Sequence, residues 1–247
     1  PCTTIAPAIC TGGISVAQSG QQLPLLVQLR DDATLDNFLA TDATAPLIEA
    51  VRMQSEGEGE PVVFLHGGRG SGKSHLLQGA CHLAGDNALY LPLRELAVYA
   101  PEEVLAGVET LGLVALDDLD VVMGQEAWEH ALFGLYNRAR EWGCRMLISA
   151  SGAPRALDVG LADLRSRLSW GVVYQLPPAS DEDKQSILQF RAARRGLNVS
   201  DEVASFIVHR ASRDLAQLLE VLERLDRASL ARQRALSIPF VKQILGW

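Results

Sequence analysis

Several features that define protein classes are scarce or missing in this sequence. Its 247 residues include only four cysteines, none in a CxxC pair, so neither a disulfide scaffold nor a paired-cysteine zinc site is indicated. No apolar run reaches the roughly 18 to 20 residues that a membrane span needs, so we expect no membrane partner. The five histidines never gather at metal-ligand spacing. These absences favour a globular protein of the reducing cytoplasm.

Charge is missing from one stretch and unevenly distributed over the rest. Residues 1–20 carry no charged or aromatic side chain, and no positive flank that would indicate a signal peptide, so we expect a flexible segment over residues 1–30. The net charge is −8, and acidic residues predominate up to Ser180. A field of that sign repels phosphate backbones, so little direct DNA binding is expected, although the mildly basic remainder leaves a weak contact open.

Short β-rich runs alternate with helical patterns between Pro61 and Leu176, and this alternation predicts a parallel sheet covered by helices on both faces. The predicted strands are Pro61–His66, Ala88–Leu93, Gly112–Asp117, Arg145–Ala150 and Gly171–Leu176. Helical patterns contain Leu76–Leu83, Glu102–Val108 and Trp128–Trp142. The order indicates an α/β domain over residues 31–178.

After Pro177 and Pro178 the pattern is helical throughout, which predicts a small all-helical subdomain over residues 179–247. Its helices are expected after a capping box at Ser180 and Asp183, closed by Gly196, and at Asp201–Arg210, Arg213–Leu230 and Ser237–Leu245. The tryptophans at 128, 142 and 170 have apolar neighbours, and we expect them to pack inside the fold rather than to stack on bases.

A complete phosphate-binding motif, G-x-x-x-x-G-K-S, stands between the first predicted strand and a helix. Its residues are Gly67, Gly68, Arg69, Gly70, Ser71, Gly72, Lys73 and Ser74. Glycines let successive amides point at phosphate oxygens, and the helix N-terminus adds partial positive charge. Lys73 is expected to reach the outer phosphates of ADP or ATP, and Ser74 to bind Mg²⁺. The alternative is a glycine-rich turn that only joins strand to helix.

A second acidic element would complete a nucleoside-triphosphate site. The apolar run from Leu113 to Leu116 ends in Asp117 and Asp118, as in a Walker B motif. Asp117 is expected to hold magnesium through water, and Asp118 to orient the attacking water; a helix or loop cap is the alternative for Asp118. Ser149 or Ser151 would sense the γ-phosphate, unless these serines only cap the strand.

Together with these motifs, Leu35-Asp36-Asn37-Phe38 and the run from Asp163 to Gly171 resemble the bacterial replication initiator DnaA, an AAA+ protein. The resemblance covers about residues 31–247. Because the sequence given ends after the helical subdomain, without a DNA-binding helix-turn-helix, it is more similar to the DnaA-related Hda family. This resemblance implies an AAA+ fold with a helical lid, and it adds Phe38, His75 and Arg213 to the nucleotide-binding residues. The position at which the family has a sensor arginine is occupied by Ala216 in this sequence, and Arg213 lies one turn earlier.

The Hda resemblance also implies two partners. Arg167 corresponds to an arginine that acts on the ATP of a neighbouring DnaA molecule, although surface ion pairs of Arg165 and Arg167 are an alternative. A peptide near the N-terminus resembles the motif that docks on the replication sliding clamp, although a random apolar tail could match it as well. Its residues are Gln22, Leu23, Pro24, Leu25 and Leu26.

The expected function is therefore regulation of replication initiation: a nucleotide-bound protein docks on the clamp and stimulates ATP hydrolysis by DnaA. Two alternatives stay open, an autonomous ATPase or helicase-loader-like protein that acts on DNA, and an adaptor that only tethers DnaA. The sequence also leaves open the bound nucleotide, hydrolysis of the chain's own ATP, and assembly into a homo-oligomer.

Overall fold

Five parallel strands form the centre of the α/β domain in a computed structural model, which describes residues 29–211 and 215–247. The strands are β1 (Val62–His66), β2 (Ala88–Pro92), β3 (Leu113–Asp117), β4 (Arg145–Ala150) and β5 (Val172–Gln175). Their order in the sheet is β2-β3-β4-β1-β5. Each predicted strand is present, with ends that differ by no more than one residue. The expected five-stranded parallel sheet is confirmed.

The register of the sheet brings the carboxyl ends of three strands together. Leu65 of β1 pairs with Ser149 of β4, and Leu116 of β3 pairs with Ile148. The loop after β1, the acidic pair after β3 and the serine of β4 therefore lie along one edge. This is the edge at which parallel α/β sheets bind ligands.

Helices cover both faces of the sheet. Successive apolar side chains of each buried strand point to opposite faces, and each face must be covered. Phe64 packs in one cluster with the helix α5 (Glu126–Trp142), whereas Val63 and Leu65 pack in the other with α1 (Ala45–Ser55) and α2 (Lys73–Ala84). The helices of this domain are α1 (Ala45–Ser55), α2 (Lys73–Ala84), α3 (Leu93–Leu96), α4 (Pro101–Val104), α5 (Glu126–Trp142) and α6 (Ala162–Leu168).

The helix expected around Glu102–Val108 is correct only in its first half. α4 ends at Val104, and a 3-10 turn follows at Val108–Thr110. Gly107 separates the two with a φ of 72°, a left-handed conformation that glycine adopts without steric cost. The periodic apolar residues remain buried, but the backbone is not one continuous helix.

The all-helical subdomain is confirmed and has its own apolar core. Its helices are α7 (Asp181–Arg194), α8 (Asp201–Arg210), α9 (Leu215–Arg232) and α10 (Ile238–Leu245). The capping box predicted at α7 is present, since Ser180 accepts from the Asp183 amide and Asp183 accepts from the Ser180 amide. Gly196 follows α7 with a φ of 75°. The domain boundaries at residues 30/31 and 178/179 stay predictions.

The expectation for the tryptophans was wrong at two of three positions. Trp128 is buried, but Trp142 and Trp170 are 66% and 60% exposed. Both exposed rings stand at the end of a helix, where apolar neighbours in sequence do not determine which way a side chain points. Within the described ranges no helix is long and apolar enough to cross a membrane. The clamp-peptide residues 22–26 and Arg213 lie outside the described residues.

Candidate functional site

The glycine-rich motif forms the turn between β1 and α2. Gly70 and Gly72 have φ values of 75° and 99°, in the left-handed region that side chains with a Cβ avoid. Space is also limiting, because a Cβ on Gly72 would lie 2.8 Å from Cε2 of Phe38. The turn therefore depends on glycine at Gly72 for both conformation and contact with Phe38.

Polar groups of this turn fit a polyphosphate. The Lys73 Nζ is buried and donates to the carbonyl oxygens of Gly67 and Gly68 at 2.8 and 3.0 Å, so the ammonium lies within the turn. The hydroxyl of Ser71 is buried and has no hydrogen-bond partner among the described residues. Ser74 is exposed in the first turn of α2, as are Gly68 and Arg69 in the loop. An unpaired donor beside a buried ammonium suits an anionic ligand.

His75 connects α2 to the N-terminal strap, by which we mean residues 29–38. Its ring lies 5.8 Å from the Phe38 ring, centroid to centroid, and its Nε2 is 2.8 Å from the carbonyl oxygen of Thr34. Burial lowers the pKa of His75 to about 4, so the imidazole is neutral at pH 7 and Nε2 donates to that carbonyl. Phe38 and His75, both expected at the nucleotide, therefore lie together beside the glycine-rich turn.

The strap also contacts the rest of α2 and the lid. The Arg30 amide donates to the Gln78 side chain at 3.0 Å, and an added Cβ on Gly79 would lie 2.9 Å from the backbone of Leu35. On the other side, Asp32 forms an ion pair with Arg191 of α7, which is only 4% exposed. Sequence reasoning missed Arg191, although a buried arginine within a lid helix requires an anionic partner.

Asp117 is buried at the carboxyl end of β3 and accepts two hydrogen bonds. Tyr90 donates its hydroxyl at 2.6 Å, and Ser149 donates to the other carboxylate oxygen. Burial, with the nearby Asp117 charge, raises the pKa of Tyr90 and keeps it protonated. Each carboxylate oxygen retains acceptor capacity for magnesium-bound water. Tyr90 was not foreseen, because its proximity depends on the pairing of β2 with β3.

The two candidate serines differ in their surroundings. Ser149 links both acidic residues, since its hydroxyl also accepts from the Asp118 amide at 3.0 Å. Ser151 instead binds the Asp120 carboxylate, through its amide at 2.9 Å and its hydroxyl at 3.0 Å. The structure therefore brings Ser149, and not Ser151, into contact with Asp117.

Asp118 has a left-handed backbone, with φ 57° and ψ 48°. Its carboxylate accepts a hydrogen bond from Nε of Arg94 at 2.8 Å. The expected water-orienting group thus already has a cationic partner. Sequence reasoning did not identify Arg94, which is the second residue after β2, the strand next to β3.

Two arginines on α6 have different environments. Arg165 donates a hydrogen bond to the carbonyl oxygen of Val159 in its own domain. The guanidinium carbon of Arg167 instead lies over three aromatic rings, 4.7 Å from the Trp170 centroid, 5.6 Å from Phe133 and 5.7 Å from Tyr136.

The rings near Arg167 lie at the amino end of the sheet. Trp170 and Tyr136 line a cavity together with Val62, the first residue of β1, and Cys144, the residue before β4. The glycine-rich turn follows the opposite end of β1. A strand of five residues spans about 15 Å, so Arg167 and Lys73 belong to opposite ends of the molecule.

Comparisons with known proteins agree with this architecture. A family model described as "Hda, lid domain" matches residues 181–245. An uncharacterized protein of Haemophilus influenzae is 44% identical over 230 residues, which cover 92% of this chain and 99% of that protein.

Solved structures of DnaA have the same fold. Domain III of the Thermotoga maritima replication initiation protein DnaA is similar with a TM-score of 0.73 and 21% identity, over 89% of this chain and 98% of that chain. AMPPCP-bound DnaA from Aquifex aeolicus is similar with a TM-score of 0.67 and 21% identity, over 83% and 69% of the two chains. With its lid matched to a family model and its sheet to the initiator, the chain belongs to the Hda family of DnaA-related AAA+ proteins.

Proposed function

We propose that this protein regulates replication initiation: loaded with an adenine nucleotide, it docks on the sliding clamp and stimulates ATP hydrolysis by DnaA through Arg167. The observation that carries the proposal is the placement of Arg167 on aromatic rings at the end of the sheet opposite the chain's own phosphate-binding turn. An arginine in that position serves a phosphate that the chain does not itself bind.

The chain's own nucleotide, ADP or ATP, would bind at the turn from Gly67 to Ser74. Lys73 would exchange its bonds with loop carbonyls for bonds to the outer phosphates, and the Ser71 hydroxyl would gain a partner. Phe38 and His75 would border the nucleotide from the strap side, with Arg213 as a further cation from the lid. The AMPPCP bound by Aquifex aeolicus DnaA supports an adenine nucleotide in this fold.

Ser74 and Asp117 would hold Mg²⁺, Asp117 through water. The ion, when bound, offsets the negative charge of the phosphates. Ser149 keeps Asp117 oriented by donating to it, and Tyr90 does the same from β2. Because Asp118 is paired with Arg94, it is poorly placed to orient an attacking water. This pairing supports slow hydrolysis of the chain's own ATP and a structural role for its nucleotide.

Arg167 would supply positive charge to the γ-phosphate of DnaA-bound ATP as the phosphoryl group transfers. Such a residue contributes about 10³ to 10⁵ in rate in other systems. The alternative position, Arg165, already donates to Val159 and is tied to its own domain. The different environments of the two arginines therefore support Arg167.

The decisive experiment measures phosphate release from ATP-loaded DnaA with clamp and DNA present. Arg167→Ala should fold, bind nucleotide and dock on the clamp, yet lose at least about 10³-fold of the stimulation. Arg167→Lys should rescue poorly, because an ammonium lacks the planar fork of donors that spans phosphoryl oxygens. Arg165→Ala is the matched control.

Two outcomes would contradict this assignment. Full stimulation by Arg167→Ala would refute Arg167 as the arginine that acts on the ATP of DnaA, and loss only in Arg165→Ala would move the role two residues upstream. Rapid turnover of ATP by this chain alone, without DnaA, would favour the alternative of an autonomous ATPase that acts on DNA.

The clamp-docking part of the proposal rests on residues 22–26 and is tested separately. Gln22→Ala combined with Leu25→Ala should remove a directional hydrogen bond and an apolar anchor, and should weaken clamp binding by at least about tenfold. Nucleotide content should not change. Surface plasmon resonance on immobilised clamp measures the affinity, and an unchanged dissociation constant would refute docking through this peptide.

A further inference from the structure

Three aromatic side chains surround the guanidinium of Arg167 from two elements. Phe133 and Tyr136 stand one turn apart on α5, on the face that packs against α6. Trp170 follows Arg167 by three residues, just beyond the end of α6, and makes the shortest of the three contacts. We call these three rings the aromatic cage.

Contacts with ring faces hold a cation in a different way from hydrogen bonds. The attraction comes from the negative face of the ring, so it engages the charge and leaves the N–H donors available. Arg165 shows the contrast, because one of its donors is occupied by a carbonyl oxygen. A guanidinium held by rings keeps the donors that a planar trio of phosphoryl oxygens requires.

We infer that the aromatic cage positions Arg167 for delivery to the γ-phosphate of a partner's ATP, with Trp170 as the principal positioning residue. This inference rests on the proposed role of Arg167 and adds three residues to it. The rings fix the direction of a long, flexible side chain before the partner arrives, so less rotamer freedom is lost on docking. They touch neither nucleotide nor metal, so they are positioning residues and not catalytic ones.

The exposure of the cage fits this role. Trp170 is 60% exposed, whereas Tyr136 is buried, so the cage is covered on the side of α5 and open to solvent on the side of Trp170. A partner that covers Trp170 would exclude water from the contact and strengthen it. Arg167 would then be most firmly oriented only in the assembled complex.

Trp170→Leu tests the cage, with Trp142→Leu as the matched control. Trp142 is a similarly exposed tryptophan on the same domain and takes no part in the ring contacts of Arg167. We expect Trp170→Leu to lower the maximal rate of the stimulated ATP hydrolysis by DnaA by about tenfold, and to change the half-saturating concentration by less than about threefold. Trp170→Phe, which keeps a ring face, should stay within about threefold of wild type. Trp142→Leu should match wild type.

A second measurement uses the chain alone and does not depend on DnaA. In NMR spectra, ring currents of the aromatic cage should change the chemical shifts of the Arg167 side-chain protons. Trp170→Leu should remove much of that change. Trp142→Leu should leave the Arg167 signals in place. The thermal unfolding midpoint of each variant verifies that it folds.

The two measurements test the positioning role of the aromatic cage separately from the proposed role of Arg167. If Arg167→Ala retained full stimulation, the proposed function would fail, while the NMR result would still report on the cage. If Arg167→Ala lost stimulation but Trp170→Leu kept wild-type rates and wild-type Arg167 signals, the cage would be refuted. An additive loss in the variant that combines Arg167→Ala with Trp170→Leu would also count against the cage. A positioning residue has no effect once its arginine is gone.

Discussion

The two ends of the β-sheet hold their cations differently. At the carboxyl end, Lys73 is buried and bonded to carbonyl oxygens of the loop that surrounds it. At the amino end, Arg167 lies over ring faces with an exposed tryptophan at the rim. The first arrangement suits retention of a ligand within the molecule, and the second suits presentation of charge to another molecule. One domain thus holds two cations in different ways at opposite ends of its sheet.

The largest effect within the chain is expected from Lys73→Ala, at the carboxyl end of the sheet. Loss of the buried ammonium removes charge-assisted bonds to the outer phosphates, worth about 1.5 to 3 kcal/mol, so nucleotide affinity should fall by about 10- to 100-fold. The unfolding midpoint in the presence of nucleotide should fall too, because bound ligand stabilises the folded state.

Chromatography of the nucleotide released on denaturation measures the occupancy of Lys73→Ala, and it also identifies ADP or ATP in the wild-type protein. Arg167→Ala is the control, since it lies at the other end of the sheet. Wild-type nucleotide content in Lys73→Ala would contradict the site described here.

An intermediate effect is expected from pH, and again only at the carboxyl end. The pKa of His75 is lowered to about 4 by burial, below the unfolded value of about 6.5. Between these values the unfolded chain binds a proton that the folded chain does not. His75 therefore leaves the free energy of unfolding unchanged above pH 6.5 and lowers it as the pH falls toward 4. The slope from this group is at most about 1.4 kcal/mol per pH unit.

His75→Gln is the comparison for the pH effect, since glutamine can still donate to the Thr34 carbonyl. Denaturant unfolding at pH 7, 6 and 5 should give a shallower loss of stability for the variant than for the wild type. Equal slopes would show that other groups, such as His66, whose pKa is also lowered by burial, account for the whole dependence.

The smallest effect is expected from Arg165, the other arginine of α6. Arg165→Ala removes the hydrogen bond to Val159 and a charge beside the Glu129 carboxylate, and should cost about 1 kcal/mol of unfolding free energy. Stimulation of DnaA should be kept. Arg167→Ala should instead lose the stimulation, with a comparable loss of unfolding free energy from its ring contacts. Phosphate release and urea denaturation test both variants, and equal stimulation by the two would argue against separate roles.

Local signals account for what the sequence could predict. The Gly67 to Ser74 turn is encoded by contiguous residues, and Asp117 by an apolar strand that stops at a carboxylate. The sheet followed from strand and helix alternation, and the lid helices from their caps. These features depend on neighbours along the chain, so pattern reasoning recovers them.

Contacts between distant segments were not predictable in this way. The Tyr90 hydroxyl meets Asp117 only because β2 pairs with β3, and Arg191 meets Asp32 across 159 positions of sequence. Trp170 was expected to pack inside the fold, because apolar neighbours in sequence do not distinguish a core side chain from one that holds a cation. Pair contacts of this kind require the assembled fold.

The link between Asp32 and Arg191 has a kinetic consequence. The strap lies along α2 on one side and is joined to α7 on the other, so the lid cannot swing away from the glycine-rich turn without separating a buried guanidinium from its carboxylate. Breaking this contact therefore adds to the free energy of such a movement, because the ion pair is lost before water can replace it. If the lid must move to release a nucleotide from the turn, this pair would lengthen the residence time of that nucleotide.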